Sequence, residues 1–585
     1  MSRARFAGML IVIAAAARSL SLGWLHPLNW DEIEYFRATD WVRQGLVPYR
    51  DFWEHHTPLQ WFVFAPVANF VHSPGVPAII AMRWAQVPLW IATFVLLSLW
   101  MRGAGLSLPS RFSAIALALC SSMFMLPAVE YRIDSLGCGL YVLALVLLQR
   151  NRNFEGGAAL CLAGFANIRL GPLLALTVFL WLFKRSRVAV IAGGFATFAL
   201  CSIYFLATHS AAIAFRRVWT ENYLADKLSE GTGGVFLHRL AGVIGWRPLT
   251  HTFDAAAIDV ATICILILGV IGLVRALIAR HDHLFELAIL QLGNILFIAV
   301  MKFVYTYHFE ITILLMLPFV ASEIERLVAQ KWAVVAAMLV LASGVNVFAS
   351  IFRGKEADLA YQDLIMREVD SLTPEDGKVF DGVGWALRRR PAYRYWFLPK
   401  LVQRLEAKGL FESYDARRDP PSAIITDHNA YVWLELHPQT AAFATSHYLP
   451  VWRNLWLPGM SARLNAGESA EWIVLATGTY RVYASEALSM HLWFRNPLPY
   501  GTFESRNTRI DFPRFRRSDL QLTADGIPIA PNAMRLSRGQ HLRVVAPRTL
   551  GVMIVPSGIR SLFQQPPPGV TLDAAAPPAT HVPFR

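Results

Sequence analysis

Long apolar runs separated by short polar segments fill the first 352 residues of the chain. A bilayer core takes about 20 apolar residues of a helix, and on that measure the runs predict eleven membrane-spanning helices. They lie near residues 6–26, 76–101, 112–130, 134–149, 155–168, 171–183, 188–208, 256–279, 284–302, 306–322 and 332–352. The pattern therefore predicts a polytopic α-helical membrane region.

Two ambiguous segments decide the predicted topology. Residues 58–73 are apolar but short and contain two prolines, so we interpret them as an interfacial or re-entrant helix. Residues 155–183 would suffice for one long helix, but a break at 167–172 divides them into two short spans. With these choices every inferred cytoplasmic loop is basic, as the positive-inside rule requires. The loops at 27–75 and 209–255 and the region after residue 352 then lie outside the cytoplasm.

After residue 352 the pattern becomes that of a soluble protein. Of the first 352 residues 45 are charged, against 50 of the remaining 233. Helical stretches alternate with short apolar strands over 353–440, which predicts a small α/β lobe. Short alternating runs punctuated by Gly, Pro and Asn over 441–565 predict a β-sandwich. Residues 566–585, rich in Pro and Ala, are predicted to form a disordered tail.

The composition excludes an ordinary soluble enzyme. The chain is 55% apolar and 16% charged, with a mean hydropathy of +0.40, whereas about a quarter of a globular domain is charged. The net charge of +13 resembles that of a nucleic-acid-binding protein, but Lys and Arg in cytoplasmic loops also produce it, so no nucleic-acid partner is predicted. All five cysteines lie in apolar stretches without metal-ligand spacing, which makes a thiolate zinc site improbable.

The first outer loop carries the most informative polar residues. Asp31 and Glu32 directly follow the first predicted span, so the helix holds at least one carboxylate at a fixed depth. Such a carboxylate can act as a general base on a hydroxyl arriving from the aqueous side. The alternative is that the pair is the solvated end of a helix, since charged side chains are usually exposed.

The short outer loops hold one basic residue each, namely Arg132, Arg169 and Lys302. A charged side chain at membrane depth costs free energy and usually marks a functional site, so these three residues are candidates for function. Asp134 is predicted to lie on the same face of the membrane. The alternative for Arg132 and Asp134 is a local pair at a helix end. Tyr307 and His308 lie near the outer end of a late span, where an aromatic interfacial belt is the alternative interpretation.

The first loop resembles that of the GT-C superfamily of membrane glycosyltransferases. The resemblance is carried by Asp31-Glu32 after the first span, then Tyr35, Ala38, Gly45, Pro48-Tyr49, Asp51, Glu54-His55-His56 and Pro58-Leu59. The most similar branch contains bacterial relatives of protein O-mannosyltransferases and the lipid A aminoarabinose transferase. The resemblance spans residues 1–352 and implies a transmembrane catalytic domain with a soluble outer domain.

This resemblance implies a reaction and a set of roles. A sugar would move from a polyprenyl-phosphate donor to a glycan, lipid or protein hydroxyl on the periplasmic face of a bacterial inner membrane, among membrane lipids. Asp31 would be the base, with Glu32 assisting and Asp134 as a second catalytic carboxylate. Cations would bind the donor phosphate, and other polar side chains would contact the substrates. The phosphate-binding residues are Arg132, Arg169 and Lys302, and the substrate-binding ones are Tyr35, Asp51, Glu54, His55, His56, Tyr307 and His308.

No metal ligands are predicted. His55 and His56 could bind an ion with Glu54, but adjacent histidines are expected to point in different directions, and no third histidine has suitable spacing. These residues are therefore interpreted as a polar loop. The resemblance leaves open a divalent cation as cofactor, because some families in the superfamily use one and others do not.

Two other functions remain as alternatives. A transporter or flippase of lipid-linked sugars would need polar residues along a path through the bilayer, often with inverted repeats, whereas the carboxylates cluster at one face. A non-catalytic anchor displaying a glycan-binding domain would leave the acidic loop without a role.

Overall fold

The structure is a computed structural model of the chain. It describes residues 21–183, 186–227, 235–244, 246–247, 252–253, 258–280, 282–301, 304–330, 356–398, 400–452, 455–485, 508–511, 520–531, 534–559 and 561–564. The chain forms two compact units, one ending at Glu356 and one running from Ala357 together with residues 74–76.

The first unit is almost entirely helical. Its helices are α1 Trp30–Arg43, α2 Leu59–Ala68, α3 Val76–Ala85, α4 Val87–Gly103, α5 Leu108–Cys120, α6 Ser122–Val129, α7 Ile133–Gln149, α8 Asn153–Ala166, α9 Gly171–Leu182, α10 Arg187–Ala207, α11 Ala211–Phe215, α12 Asn222–Lys227, α13 Val235–Val243, α14 Val260–Ala279, α15 Asp282–Val300 and α16 Phe309–Ala329. A π-helical segment at Arg216–Glu221 joins α11 to α12, and a short hairpin pairs β1 Trp246–Arg247 with β2 Thr252–Phe253.

Four of the described helical segments are long and apolar enough to cross a membrane, or five if the bent pair α5 and α6 is one span. The four are Val76–Gly103, Arg187–Ala207, Val260–Ala279 and His283–Val300. The pair α5 and α6 bends by 70°, whereas the sequence predicts one continuous span there. The predicted spans at 6–26 and 332–352 fall largely or wholly outside the described residues, so the total of eleven stays a prediction.

Helix α16 occupies the centre of the first unit. It is buried around nearly its whole circumference from Phe309 to Ala321, which is typical of a helix enclosed by other helices. Its apolar side chains belong to a core that also includes residues of α4, α5, α7 and α14. The N-terminal end of α16 therefore lies among the helices that carry the predicted site.

Helices α8 and α10 pack so closely that their backbones touch. A Cβ atom added to Gly193 would overlap the carbonyl oxygen of Phe154, and one added to Gly157 would overlap that of Val190. The neighbouring Gly194 has room, since its added Cβ would lie 3.5 Å from the Gly157 oxygen. Small residues allow this approach between membrane helices.

We expect Gly193→Ala to destabilise the protein by about 1–3 kcal/mol, because the methyl group must push the two helices apart. Gly194→Ala is the matched control, and we expect it to change stability by less than about 1 kcal/mol. Thermal unfolding of both variants in the same detergent measures the difference. Equal unfolding temperatures would contradict the close packing of α8 on α10.

The second unit contains α17 Glu356–Leu372, α18 Lys400–Ala407, α19 His428–Leu436 and α20 Pro438–His447 around a mixed sheet. Its strands are β3 Lys378–Phe380, β4 Arg390–Pro391, β5 Ala423–Ile425, β6 Tyr448–Trp452 and β7 Leu455–Pro458. Their order is β4-β3-β5-β7-β6, with β4, β3 and β5 parallel and the other pairs antiparallel. The sheet thus includes strands beyond residue 440, where the sequence predicts that the α/β lobe ends.

Two four-stranded antiparallel sheets follow. Their strands are β8 Met460–Leu464, β9 Ser469–Ile473, β10 Gly478–Ser485, β12 Gln521–Ala524, β13 Ile527–Pro528, β14 Met534–Leu536, β15 His541–Val545 and β16 Leu550–Pro556, and β11 Thr508–Asp511 and β17 Ser561–Gln564 form a separate pair. The strand orders in the two sheets are β14-β10-β16-β8 and β13-β12-β15-β9. Their inner faces share one apolar core that includes Trp472, Val482 and Ile554, as in a β-sandwich. The predicted tail at 566–585 lies outside the described residues.

Candidate active site

The first turn of α1 places two carboxylates side by side in the chain but in different surroundings. Asn29 precedes the helix, and its side chain accepts a hydrogen bond from the Asp31 backbone N–H at 3.3 Å. Glu32 completes the cap by accepting the Asn29 backbone N–H at 2.9 Å. Both carboxylates therefore lie at the positive end of the helix dipole, which favours their ionised forms.

Asp31 pairs with an arginine from the segment before α7. The Arg132 guanidinium donates to Asp31 Oδ2 at 2.7 Å, and it also contacts Glu130 at 3.0 Å and Asp134 at 3.2 Å. The Arg132 side chain is fully buried, whereas a quarter of the Asp31 side chain is exposed. Burial acts to raise the pKa of Asp31, but Arg132, together with Arg169 and His56, outweighs burial and holds that pKa below its usual value. Asp31 is thus a partly exposed carboxylate whose surroundings favour the ionised form.

The helix break between α8 and α9 supports the same site. Asn167 adopts an extended conformation there, and its amide donates to Asp134 Oδ1 at 2.8 Å. Its side-chain oxygen accepts the backbone N–H of Arg169 at 3.0 Å, in the 3₁₀ turn Ile168–Leu170. The break at 167–172 that the sequence predicts therefore holds Asp134 and places Arg169.

An aromatic ring lies close to both arginines. The guanidinium carbon of Arg132 is 3.8 Å from the centroid of the Tyr307 ring, and that of Arg169 is 5.0 Å from the same centroid. These are cation–π distances. His308, the next residue, accepts the backbone N–H of Tyr305 at 3.2 Å and so helps to shape the turn before α16.

The two arginines differ in their hydrogen bonds. Each of the three guanidinium nitrogens of Arg132 donates to a carboxylate, whereas the buried Nη1 of Arg169 donates no hydrogen bond in the described part of the chain. Arg169 thus has a donor available for a further anion.

Glu32 is held differently from Asp31. The Arg83 guanidinium binds both of its oxygens, at 2.7 Å and 2.6 Å, and the backbone N–H of Tyr131 donates to it at 2.8 Å. Both members of the pair are buried. These contacts make Glu32 a link between α1, α3 and the segment that carries Arg132. The assisting catalytic role predicted for it stays a prediction.

The rest of the first loop folds back on α1. Tyr49, in the left-handed region at φ 68°, donates its hydroxyl to the His56 carbonyl at 2.6 Å. Asp51 accepts the Val47 backbone N–H at 2.7 Å and pairs with Arg50, so its observed contacts close a turn. The Tyr35 hydroxyl lies 3.3 Å from His56 Nε2, and the Tyr35 ring lies 5.9 Å from the Arg132 guanidinium. Tyr35 therefore joins the loop to the Asp31 site.

Glu54, His55 and His56 meet Glu34 of α1. The expectation that the adjacent histidines point apart is wrong, because their ring centroids are 3.9 Å apart and Nδ1 of both faces Glu54 Oε1. The chain turns here because that same oxygen accepts the backbone N–H groups of His55 and His56, at 2.8 Å and 3.2 Å.

Burial and the neighbouring Glu54 and Asp31 carboxylates raise the pKa of Glu34 well above its usual value. Burial also lowers the pKa of His56 to about 4, with the adjacent His55 adding to the effect. Both pKa shifts have burial as their largest cause, because these polar side chains are packed together away from bulk water.

Several residues of the site are not among those predicted from the sequence. Arg83 is an arginine inside an apolar helix, a signal of function that could have identified it. Glu34 follows Asp31 by one helical turn, and Glu130 precedes Arg132 by two positions, but neither spacing is distinctive. Glu310 is buried in the first turn of α16, and neither of its oxygens accepts a hydrogen bond from the described residues. Lys302, predicted to bind the donor phosphate, lies outside the described residues.

Comparison with known proteins decides the fold. No protein-family profile and no curated protein sequence matches the chain significantly. Among solved structures it is similar to ArnT from Cupriavidus metallidurans bound to undecaprenyl phosphate, with a TM-score of 0.53 and 13% identity over 78% of this chain and 98% of that chain. The same protein in the apo state gives a TM-score of 0.52 and 15% identity over the same shares.

This chain has the ArnT fold. ArnT is the lipid A aminoarabinose transferase, a GT-C superfamily member, so the resemblance predicted from the first loop is confirmed at the level of the fold. The chain is also similar to the Archaeoglobus fulgidus oligosaccharyltransferase tethered with an acceptor peptide, at a TM-score of 0.44 and 13% identity over 76% of this chain and 72% of that chain. The ArnT-like fold comprises the helical region and the sheet-containing C-terminal region.

Proposed function

We propose that this protein is an integral-membrane glycosyltransferase. It transfers a sugar from a polyprenyl-phosphate donor to an acceptor hydroxyl at the periplasmic face of a bacterial inner membrane. The observation that carries the proposal is the accessible Asp31 carboxylate bound at 2.7 Å to the buried Arg132, with Arg169 near the same Tyr307 ring. This arrangement combines a general base, Asp31, with a cation, Arg169, that can bind the phosphate of the donor.

Asp31 acts as the general base. Only its Oδ2 accepts a hydrogen bond from the described residues, so Oδ1 is available to take the proton of the acceptor hydroxyl. The acceptor oxygen attacks the anomeric carbon while the bond from that carbon to the phosphate oxygen breaks. A single displacement of this kind inverts the anomeric configuration, and the lipid monophosphate leaves with the bonding electron pair. Arg132 keeps Asp31 ionised and oriented.

Arg169 stabilises the developing charge on the leaving phosphate. Its unpaired Nη1 suits this role better than the Arg132 guanidinium, which three carboxylates already occupy. The arginine fork matches phosphate oxygens geometrically. Support for a lipid-phosphate donor comes from ArnT, the protein of the same fold, whose structure was determined with undecaprenyl phosphate bound.

We expect Arg169→Gln to raise the KM for the lipid-linked donor about 10- to 100-fold, because one charge-assisted hydrogen bond to phosphate is lost. Arg187→Gln, at an exposed position at the start of α10, is the matched control and should leave the KM unchanged. Initial rates at varied donor concentrations measure the effect. An unchanged KM in Arg169→Gln would assign phosphate binding to another cation.

The function itself is tested with purified protein and radiolabelled polyprenyl-phosphate sugars. A panel of hexosyl and pentosyl donors is incubated with cell-envelope glycan, lipid and protein fractions, and both transfer and donor hydrolysis are measured. Transfer from at least one donor supports the proposal and identifies the sugar and the acceptor class. Donor binding without transfer or hydrolysis across the whole panel would contradict it and favour a transporter.

A further inference from the structure

Four ligand-type side chains converge beside the proposed active site, three of them buried and the fourth, His55, partly exposed. Glu34 comes from α1, and Glu54, His55 and His56 come from the first loop. One ligand atom from each lies within 4.8 Å of every other. Nδ1 of both histidines is 3.6 Å from Glu34 Oε1, and the corresponding distances to Glu54 Oε1 are 3.4 Å for His55 and 2.9 Å for His56.

The hydrogen bonds within this cluster leave several buried atoms unsatisfied. Among the described residues, none donates a hydrogen bond to either oxygen of Glu34 or to Glu54 Oε2, and none forms a hydrogen bond with His55 Nδ1. Glu34 and Glu54 are completely shielded from solvent. Buried polar groups in folded proteins nearly always have partners, so these atoms can hold a ligand that the protein chain does not supply.

We propose that Glu34, Glu54, His55 and His56 bind one divalent transition-metal ion of the zinc type. Zn²⁺ binds histidine nitrogen and carboxylate oxygen at about 2.0–2.2 Å and prefers four ligands at tetrahedral positions. Neighbouring ligand atoms in such a site are about 3.3 Å apart. Three of the four distances between histidine nitrogens and glutamate oxygens, at 3.4 to 3.6 Å, lie close to this value. The fourth, from His56 Nδ1 to Glu54 Oε1, is a hydrogen bond of 2.9 Å that the ion would replace. Mg²⁺ and Ca²⁺ prefer oxygen ligands, so two imidazoles favour zinc over either.

The surroundings of the ligands fit a metal site. His56 Nε2 lies 3.3 Å from the Tyr35 hydroxyl, so the imidazole can donate there while Nδ1 faces the ion. The His55 ring stacks on Trp53, with their centroids 5.2 Å apart. Four protein ligands in a buried position make a closed site, which is typical of structural rather than catalytic zinc.

The ion would fasten the first loop to α1 within one turn of Asp31. Its bonds join Glu34, which follows Asp31 by three positions, to the three loop residues. The inference does not depend on sugar transfer, because a structural ion has the same role whatever the neighbouring carboxylate does.

Metal content of the full-length protein tests the inference. Purified protein is stripped with a chelator, incubated with ZnCl₂ or MgCl₂, freed of unbound metal and analysed by mass spectrometry. We expect about one zinc ion per chain and no magnesium, and an unfolding temperature that rises by several degrees with zinc only. Absence of bound zinc in the wild-type protein would overturn the proposal and leave a proton shared by Glu34 and Glu54 as the explanation.

Variants locate the ion. Glu34→Gln and His56→Gln should each lower the zinc content by at least tenfold and abolish the zinc-dependent rise in unfolding temperature. Glu323→Gln is the matched control, because Glu323 is a buried glutamate outside the proposed metal site. It pairs with Arg275 of α14 and Arg326 of α16. Retention of zinc in the double variant of Glu34 and His56 would place the ion elsewhere. This readout holds even if a variant is inactive.

Discussion

Asp31→Asn is expected to reduce the turnover number for sugar transfer by about 10²- to 10⁴-fold, the usual contribution of a general base. The amide has nearly the shape of the carboxylate and can still accept from Arg132, so the fold should persist, but it cannot take the proton of the acceptor. Single-turnover transfer from a saturating donor measures the loss of the chemical step. Donor binding should change far less than turnover.

Asp40→Asn is the matched control for this variant. Asp40 lies on the same helix, its carboxylate pairs with Arg43 at 2.7 Å, and no contact joins it to the Arg132 cluster among the described residues. It should retain full activity. Wild-type turnover in Asp31→Asn would remove this residue from the role of base and direct attention to Asp134, which binds Nε of the same Arg132 guanidinium.

Arg83→Met should destabilise the protein by about 3–5 kcal/mol, because it leaves the Glu32 carboxylate buried without its cation. The carbonyls of Gly23 and His26, which Arg83 also binds at 3.2 Å and 2.8 Å, would lose a donor as well. The free energy of unfolding in detergent, from denaturant titration, measures the change. Adding Glu32→Gln should restore part of the loss, since the uncompensated charge is removed.

Arg275→Met provides the comparison. Arg275 is half exposed and lies 3.2 Å from Glu323, which keeps Arg326 at 2.8 Å after the substitution. Pairs that are open to solvent contribute about 0–1 kcal/mol. Similar losses for Arg83→Met and Arg275→Met would show that the Glu32 pair is not the buried anchor described above.

The two large predictions assign distinct roles to adjacent residues. Glu32 and Arg83 hold α1 against the Tyr131 backbone, and Arg132 follows Tyr131 in the chain. The Glu32 pair thus positions Arg132, and Arg132 in turn orients Asp31. Loss of the Glu32–Arg83 pair should lower the free energy of unfolding more than it lowers turnover. Loss of the Asp31 carboxylate should lower turnover more than it lowers the free energy of unfolding.

Much of the polar site could be predicted from topology. Asp31, Arg132, Asp134 and Arg169 were placed on one face because alternating spans and basic loops assign each connecting segment to a side of the membrane. The structure brings Asp31 and Asp134 onto the same Arg132 guanidinium. A break at Asn167 could be predicted too, because a single long helix would have placed a basic loop on the outer face.

The histidine pair shows where local reasoning failed. Adjacent side chains point in opposite directions along an extended strand, and the prediction for His55 and His56 applied that rule. The loop instead turns around the Glu54 carboxylate, which accepts both backbone N–H groups. The fourth member, Glu34, belongs to a helix that precedes the loop, and no spacing rule connects it to the histidines.

The sequence by itself determined the membrane region, the soluble strands and the loop that carries Asp31, since these follow from apolar length and period, which are local properties of the chain. Only the tertiary structure decided which charges meet. Glu32 binds Arg83 51 positions away and Asp31 binds Arg132 101 positions away. The physical reason is that a buried charge requires a partner, and helix packing alone determines which partner lies within reach.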